Sequence, residues 1–275
     1  MRNSVAEHYT HGSLLAMITA GIESIGKTPA SVTIDELAPA DEFHIGGRQA
    51  SEEFADQLGL TGNEHVLDVG CGIGGTSRFI ASRFGCRVTG VDLTPEFIET
   101  GTALCKWVGL DEQIELHQGN ALSMPFTEGS FDAAIMLHVG MNIADKAGLF
   151  SEVYRLLRPG AVFGVYDVMK TGDGELKYPV PWSSVPDTCA LATQAQYVAA
   201  LQQAGFDIIE VENRREFAAD FFDETRERMA AAEGTPPPLG VHIAMGESAP
   251  AKITNMVENI AAGCCAPVEI IARRT

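Results

Sequence analysis

No run of eighteen apolar residues occurs anywhere in this chain, so no membrane-spanning helix is expected. Basic residues are few. Nineteen Lys and Arg face 37 Asp and Glu, for a formal net charge of −18. A surface so acidic repels the phosphates of a nucleic acid, and no such partner is expected. The six cysteines (Cys71, Cys86, Cys105, Cys189, Cys264 and Cys265) form no C-x-x-C pair with partnering histidines, so no metal site is expected. The neighbours Cys264 and Cys265 cannot bridge without strain. Reduced thiols point to a reducing compartment, and Met1–His8 lacks the basic-then-apolar build of a secretion signal, so the expected location is the cytoplasm. Internal repeats and low-complexity stretches are absent too. What remains is an ordinary globular composition, 45% hydrophobic, in a chain long enough for one α/β domain with insertions.

The most informative segment is Val66-Leu67-Asp68-Val69-Gly70-Cys71-Gly72-Ile73-Gly74-Gly75. An apolar strand carries an acid near its end, then turns through glycines into a helix that starts near Thr76. Bare backbone at Gly70, Gly72 and Gly74 lets a ligand lie against the turn, and Cys71 fills a place that needs a small residue. The helix start offers unpaired N–H donors. A second strand, Val88-Thr89-Gly90-Val91-Asp92, ends in an acid 22 residues after Gly70, where a ribose diol would be held. The glycines alone admit either a dinucleotide or S-adenosylmethionine. Asp68 separates the two. A pyrophosphate gains nothing from a carboxylate there, whereas the α-ammonium of S-adenosylmethionine can bind one.

Val66–Gly75, Gly90–Asp92, Gln118–Met124, Phe131–His138 and Leu156–Asp167 resemble the ordered motifs of class I S-adenosylmethionine-dependent methyltransferases. They are most similar to the small-molecule "type 11" group. Asp41-Glu42-Phe43-His44-Ile45-Gly46-Gly47-Arg48 resembles an opening motif of some bacterial members. The resemblance implies that Asp68, Gly70, Cys71, Gly72, Gly74, Asp92 and Leu93 bind the cofactor, with Leu93 against the adenine. Asn120 and Ala121 follow strand three, where the family more often has Asp. Asn Oδ1 can still accept from the adenine amino group. Residues 138–141 read His-Val-Gly-Met, unlike the N/D-P-P-Y/F pattern of base-amino methyltransferases.

Alternating strand and helix patterns argue for an α/β fold, a doubly wound, mostly parallel seven-stranded sheet of Rossmann-like methyltransferase type. Strands are expected at 65–70, 86–92, 113–118, 131–137, 161–168, 206–213 and 267–273. Thr94 and Pro95 open the helix after strand two. Arg158-Pro159-Gly160 closes the one before strand five. Residues 1–63 are expected to be a helical cover, with helices at 13–25 and 51–58, packed over the mouth of the cofactor site. Residues 64–275 are the methyltransferase domain. Insertions at 171–195 and 217–265 are expected to build the acceptor pocket, the latter with helices at 218–233 and 250–262 broken by Thr235-Pro236-Pro237-Pro238.

Methyl transfer needs alignment and exclusion of water, and neither a covalent nucleophile nor a metal. Some acceptors also need a base. His138, at the carboxyl end of strand four, is the first candidate and a further cofactor contact, and His44 is the second. Arg48 can pair with a cofactor carboxylate. Tyr166 and Trp182 can face the acceptor, although core packing is the commoner explanation for such residues. The reading is an S-adenosylmethionine-dependent methyltransferase acting on a small molecule, as a monomer or homodimer. The alternatives are a nicotinamide oxidoreductase and a non-catalytic S-adenosylmethionine-binding module.

Overall fold

The structure, a computed structural model, describes residues 9–10, 12–231 and 237–275. Met1–His8, the last two residues expected in the helix at 218–233, and Thr235-Pro236 lie outside these. The centre is a seven-stranded sheet in the order β3-β2-β1-β4-β5-β7-β6. Its strands are β1 His65–Val69, β2 Arg87–Asp92, β3 Ile114–Gln118, β4 Phe131–Leu137, β5 Leu157–Lys170, β6 Phe206–Asn213 and β7 Cys265–Arg274. All pairs are parallel except those of β7, which runs antiparallel to both β5 and β6. Every expected strand forms. The β1 strand is buried beyond its first residue, as a strand covered on both faces must be.

Strand five begins earlier than expected. Phe131 pairs with Leu157, but Ala133 pairs with Val162, so residues 158–161 bulge out of the ladder. Pro159 and Gly160 make that excursion. Pro has no N–H to give a partner strand, and Gly160 turns at φ 82°.

Helices in chain order are α1 Leu14–Ser24, α2 Ile34–Asp41, α3 Gly47–Asp56, α4 Gly75–Phe84, α5 Pro95–Trp107, α6 Lys146–Leu156, α7 Gln194–Ala204, α8 Arg215–Ala231, α9 His242–Met245 and α10 Ala249–Ala261. Three of them, α2, α7 and the four-residue α9, are not among the helices expected from the sequence. Thr94 and Pro95 do open α5, but the Thr94 side chain accepts no capping bond.

The front segment is fastened to the sheet domain. Leu14, Ile18 and Ile22 repeat every four residues on α1 and are buried with Phe97 and Leu104 of α5 and with Leu239 and Ile243 of the C-terminal insertion. Glu96 accepts from the N–H groups of Gly12 and Leu14 at 2.9 Å each, which satisfies donors left open at the start of α1. Arg78 of α4, fully buried, donates to Asp41 at the end of α2 at 2.5 Å and to the Ile73 carbonyl at 2.8 Å. Cover and glycine loop therefore share one buried ion pair.

Candidate active site

The loop from β1 to α4 is built for close approach. Gly70, Gly72 and Gly74 adopt φ values of 76°, 54° and 79°, the left-handed region that favours glycine. Their surroundings differ. Gly70 and Gly72, with Cys71, line a large cavity at the carboxyl ends of the strands. Gly74 does not. A Cβ there would press on Arg78 and Leu116, each at 3.2 Å, so this glycine serves the turn into α4. The Cys71 side chain packs against Gly90 of β2, where a Cβ would approach its sulfur to 2.8 Å.

Asp68 and Asp92 both face the cavity. Asp92 Oδ2 accepts from the Gly72 N–H at 3.1 Å and Oδ1 from the Thr94 N–H at 2.8 Å. Burial pushes its carboxyl above the usual range while these donors pull it back. Asp68 is 3% exposed and accepts from Ser77 Oγ at 2.6 Å. Burial pushes it up to about 7 against that hydrogen bond, with the Asp92 charge adding to the rise. Leu93, Asn120 and Ala121 line the same wall. Asn120 Oδ1 already accepts from the Leu122 N–H at 3.1 Å, an Asx turn, and its buried Nδ2 has no partner among the described residues. Oδ1 keeps a second lone pair for the expected acceptor role, and Nδ2 is an unused donor beside it.

A polar cluster sits under the cover. His44 Nε2 lies 2.7 Å from Glu42 Oε2. Ser51 Oγ donates to the same oxygen at 2.7 Å, and Arg48 Nε lies 3.2 Å from Glu42 Oε1. Burial raises Glu42, but His44 and Arg48 outweigh it and hold the carboxyl below the usual range. Arg48 thus pairs with Glu42 and stacks its guanidinium 4.6 Å over the Phe79 ring. Glu42, Ser51 and Ser77 were not singled out in the sequence. Glu42 lies inside the quoted Asp41–Arg48 motif, while nothing local marks the two serines.

His138 follows β4 at φ 54°, an uncommon value for a residue with a side chain, where backbone is often held for function. Its Nδ1 lies 3.2 Å from the Tyr166 carbonyl, and its Nε2 lies 3.3 Å from the Ile45 N–H, which donates to it. Removal from water, aided by the nearby His44, pushes it down to about 3. The two imidazole rings are 6.0 Å apart. Tyr166 is fully buried and donates its hydroxyl to the Ile45 carbonyl at 3.0 Å, so it is core. Trp182, 4% exposed, still contributes to the cavity wall.

The cavity measures about 2720 Å³. That exceeds the roughly 300–1,000 Å³ of an ordinary ligand pocket. Beyond the glycine loop its wall comes from the cover and from the C-terminal insertion, including Phe221, Phe222, Met229, Leu239, Ile253 and Met256. Four cationic side chains line it (Arg48, Arg226, Arg228, Lys252) against eleven carboxylates.

Residues 67–165 match the family model described as a methyltransferase domain. This segment is a methyltransferase domain. The match begins one residue before Asp68 and ends at the β5 residue before Tyr166. A sterol 24-C-methyltransferase of Gibberella zeae is 31% identical over 186 residues, covering 64% of this chain and 48% of the relative. The chain spans about half the length, or less, of the first curated relatives it matches. Among solved structures, a geranyl diphosphate C-methyltransferase from Streptomyces coelicolor, crystallised with S-adenosyl-L-homocysteine, superposes with a TM-score of 0.71 at 18% identity. That match covers 100% of this chain and 98% of the neighbour. The [4+2]-cyclase SpnF superposes at 0.66 and 21% identity over 96% and 95%. The methyltransferase domain thus carries the Rossmann-like fold of these neighbours, a fold that by itself does not name the reaction. Among the described residues, no helix is long and apolar enough to cross a membrane.

Proposed function

We propose that this protein transfers a methyl group from S-adenosylmethionine to a bulky, neutral, largely apolar small molecule. The observation that carries the reading is the continuity of one cavity. Two carboxylates at adjacent strand ends stand at one side of it, and an apolar wall from the cover and insertion stands at the other. The residues present fit the cofactor. Asp92 would hold the ribose diol, since each oxygen makes one backbone bond and has a lone pair to spare. Asp68 would take the α-ammonium, which favours its ionised form. The bare backbone at Gly70 and Gly72 would let the amino-acid portion lie flat. Leu93, Asn120 and Ala121 would frame the adenine, with Asn120 Nδ2 donating to a ring nitrogen. When bound, S-adenosylmethionine supplies an electrophilic methyl group on a sulfonium. The protein aligns the acceptor with that methyl and keeps water out.

The relatives named as sterol C-methyltransferases support a fused-ring or terpenoid-like skeleton. The lining charges disfavour a diphosphate acceptor, because carboxylates outnumber cations around the cavity. The test is to incubate the protein with methyl-tritiated S-adenosylmethionine and two panels of acceptors. One panel holds neutral polycyclic molecules (cholesterol, lanosterol, 17β-estradiol) and the other small amines such as glycine and ethanolamine. Label should enter the first panel. Label confined to the amines would overturn the acceptor class.

A further inference from the structure

We infer that His44 is the proton acceptor of the reaction, with Glu42 as its positioning residue, and that the methyl acceptor is one that surrenders a proton. The inference rests on the methyl-transfer reading and deepens it. Hydrogen-bond accounting at two neighbouring histidines separates their roles.

His138 has no nitrogen to offer. Its Nδ1 proton is spent on the Tyr166 carbonyl and its Nε2 lone pair on the Ile45 N–H. Taking a further proton at Nε2 would set two donors against each other. His138 is therefore a neutral wall residue, its left-handed backbone fixed by its own N–H to the Tyr166 carbonyl at 2.7 Å.

His44 is arranged in the opposite way. Glu42 is 3% exposed and takes bonds from His44 and Ser51, with Arg48 at its other oxygen. A carboxylate at Nε2 fixes the proton on that nitrogen and leaves the lone pair on Nδ1. Nδ1 is buried and without a partner among the described residues, on a side chain that lines the cavity. Such an orphan is costly unless something fills it during function. A proton from the acceptor fills it. With a hydroxyl acceptor, the oxygen bonds to the methyl carbon, the carbon–sulfur pair stays on sulfur, and the hydroxyl proton passes to Nδ1. With a carbon acceptor, alkene π electrons form the new bond and the proton leaves the adjacent carbon for Nδ1. In both cases the positive charge given up by the sulfonium ends on the His44 imidazolium, beside ionised Glu42. An acceptor with no proton to lose would leave the pair unused.

The groups facing His44 are Glu42 of its own segment, Ser51 of α3, the Asp68 carboxyl at β1, His138 beyond β4 and Tyr166 of β5, while Arg48 and Thr76 meet its partner Glu42. Nitrogen NMR of the full chain, labelled at the imidazoles and saturated with S-adenosylhomocysteine, tests the assignment between pH 5 and 9. Expected is a His44 signal with its proton on Nε2 and bare Nδ1 at the basic end of that range. His138 should keep its proton on Nδ1 and stay neutral throughout. Glu42→Gln should abolish the His44 tautomer preference and Glu42→Asp should restore it, which a purely structural Glu42 would not do. His44→Gln should bind S-adenosylhomocysteine within twofold of the parent, yet lower transfer to whichever neutral acceptor takes label by about 100-fold or more. A His44 proton on Nδ1, or a His138 that gains a second proton in this range, overturns the assignment. Failure of the parent to bind S-adenosylhomocysteine would instead strike the methyl-transfer reading.

Discussion

The two halves of the cavity are made in different ways. The half proposed to take the cofactor comes from three adjacent strand ends and the loops that follow them, at residues 68–74, 92–94 and 119–121. Its geometry is set by parallel register, which places Asp68 beside Gly90 and Asp92 beside Gln118. Its ligand contacts would be largely backbone and carboxylate. The half proposed to take the acceptor is assembled from segments far apart in sequence. α1 meets Leu239 and Ile243 in one cluster, and Ile45, Trp182, Ala218 and Met256 meet in another. One half is a local feature of strand-turn-helix units, free to recur among proteins with different acceptors. The other is a packing product particular to this chain.

The sharpest way to break this division is to remove the joint between the halves. Arg78→Ala leaves Asp41 as an uncompensated buried charge, and loss of one partner of a buried pair costs about 3–5 kcal/mol. Chemical denaturation should show that loss, and hydrogen exchange should quicken in α2 and the glycine loop together. A drop under about 1 kcal/mol would mean that cover and loop are held independently. Next in size is the cofactor half alone. Asp92→Ala removes charged hydrogen bonds worth about 1.5–3 kcal/mol each. It should weaken S-adenosylhomocysteine by about tenfold or more in calorimetry, over and above the stability lost when the Gly72 and Thr94 N–H groups lose their acceptor. An unchanged dissociation constant would remove Asp92 from the site.

A pH series sharpens the role of Asp68. Its carboxyl is pushed up to about 7 by burial, so it is mostly protonated at pH 6 and mostly ionised at pH 8. Only the ionised form attracts an ammonium. Affinity for S-adenosylhomocysteine should therefore rise with pH, about tenfold between pH 6 and 8, with proton release on binding below pH 7. Flat affinity across that range would place the ammonium elsewhere. The smallest effect on the cofactor is expected from the acceptor half. Phe222→Ala should leave S-adenosylhomocysteine binding within twofold, while raising the KM of a neutral acceptor by about tenfold, the loss of one buried aromatic contact. Equal losses for both ligands would mean that the two halves are not separable.

The same contrast explains what could be read from sequence. All seven strands and the glycine loop are local patterns of alternation, glycine and terminal acid, and each forms where expected apart from the early start of β5. Helices α2 and α7 were missed although both carried a signal. Thr33 with Glu36 and Thr193 with Gln196 are capping boxes in which each side chain meets the other residue's N–H. Pro39 inside the eight-residue α2 hid its periodicity. The start of α3 at Gly47, earlier than expected, follows from Gly46 turning left-handed at its N-cap. Tertiary effects were out of reach. His138 stands at the expected strand end, but its nitrogens are used by Ile45 and Tyr166, residues far away in sequence. Asn120 Oδ1 also holds its own turn, through the Leu122 N–H. Glu42 gains its place only once α2 and α3 bring Ser51 and Arg48 to it.

The central claim, that the glycine loop with Asp68 and Asp92 is an S-adenosylmethionine site, is tested most directly by calorimetric competition at pH 8. The account predicts that S-adenosylmethionine or S-adenosylhomocysteine binds with a dissociation constant in the micromolar range or below, and that neither NAD nor NADP displaces it. Tighter binding of either dinucleotide than of both would contradict it.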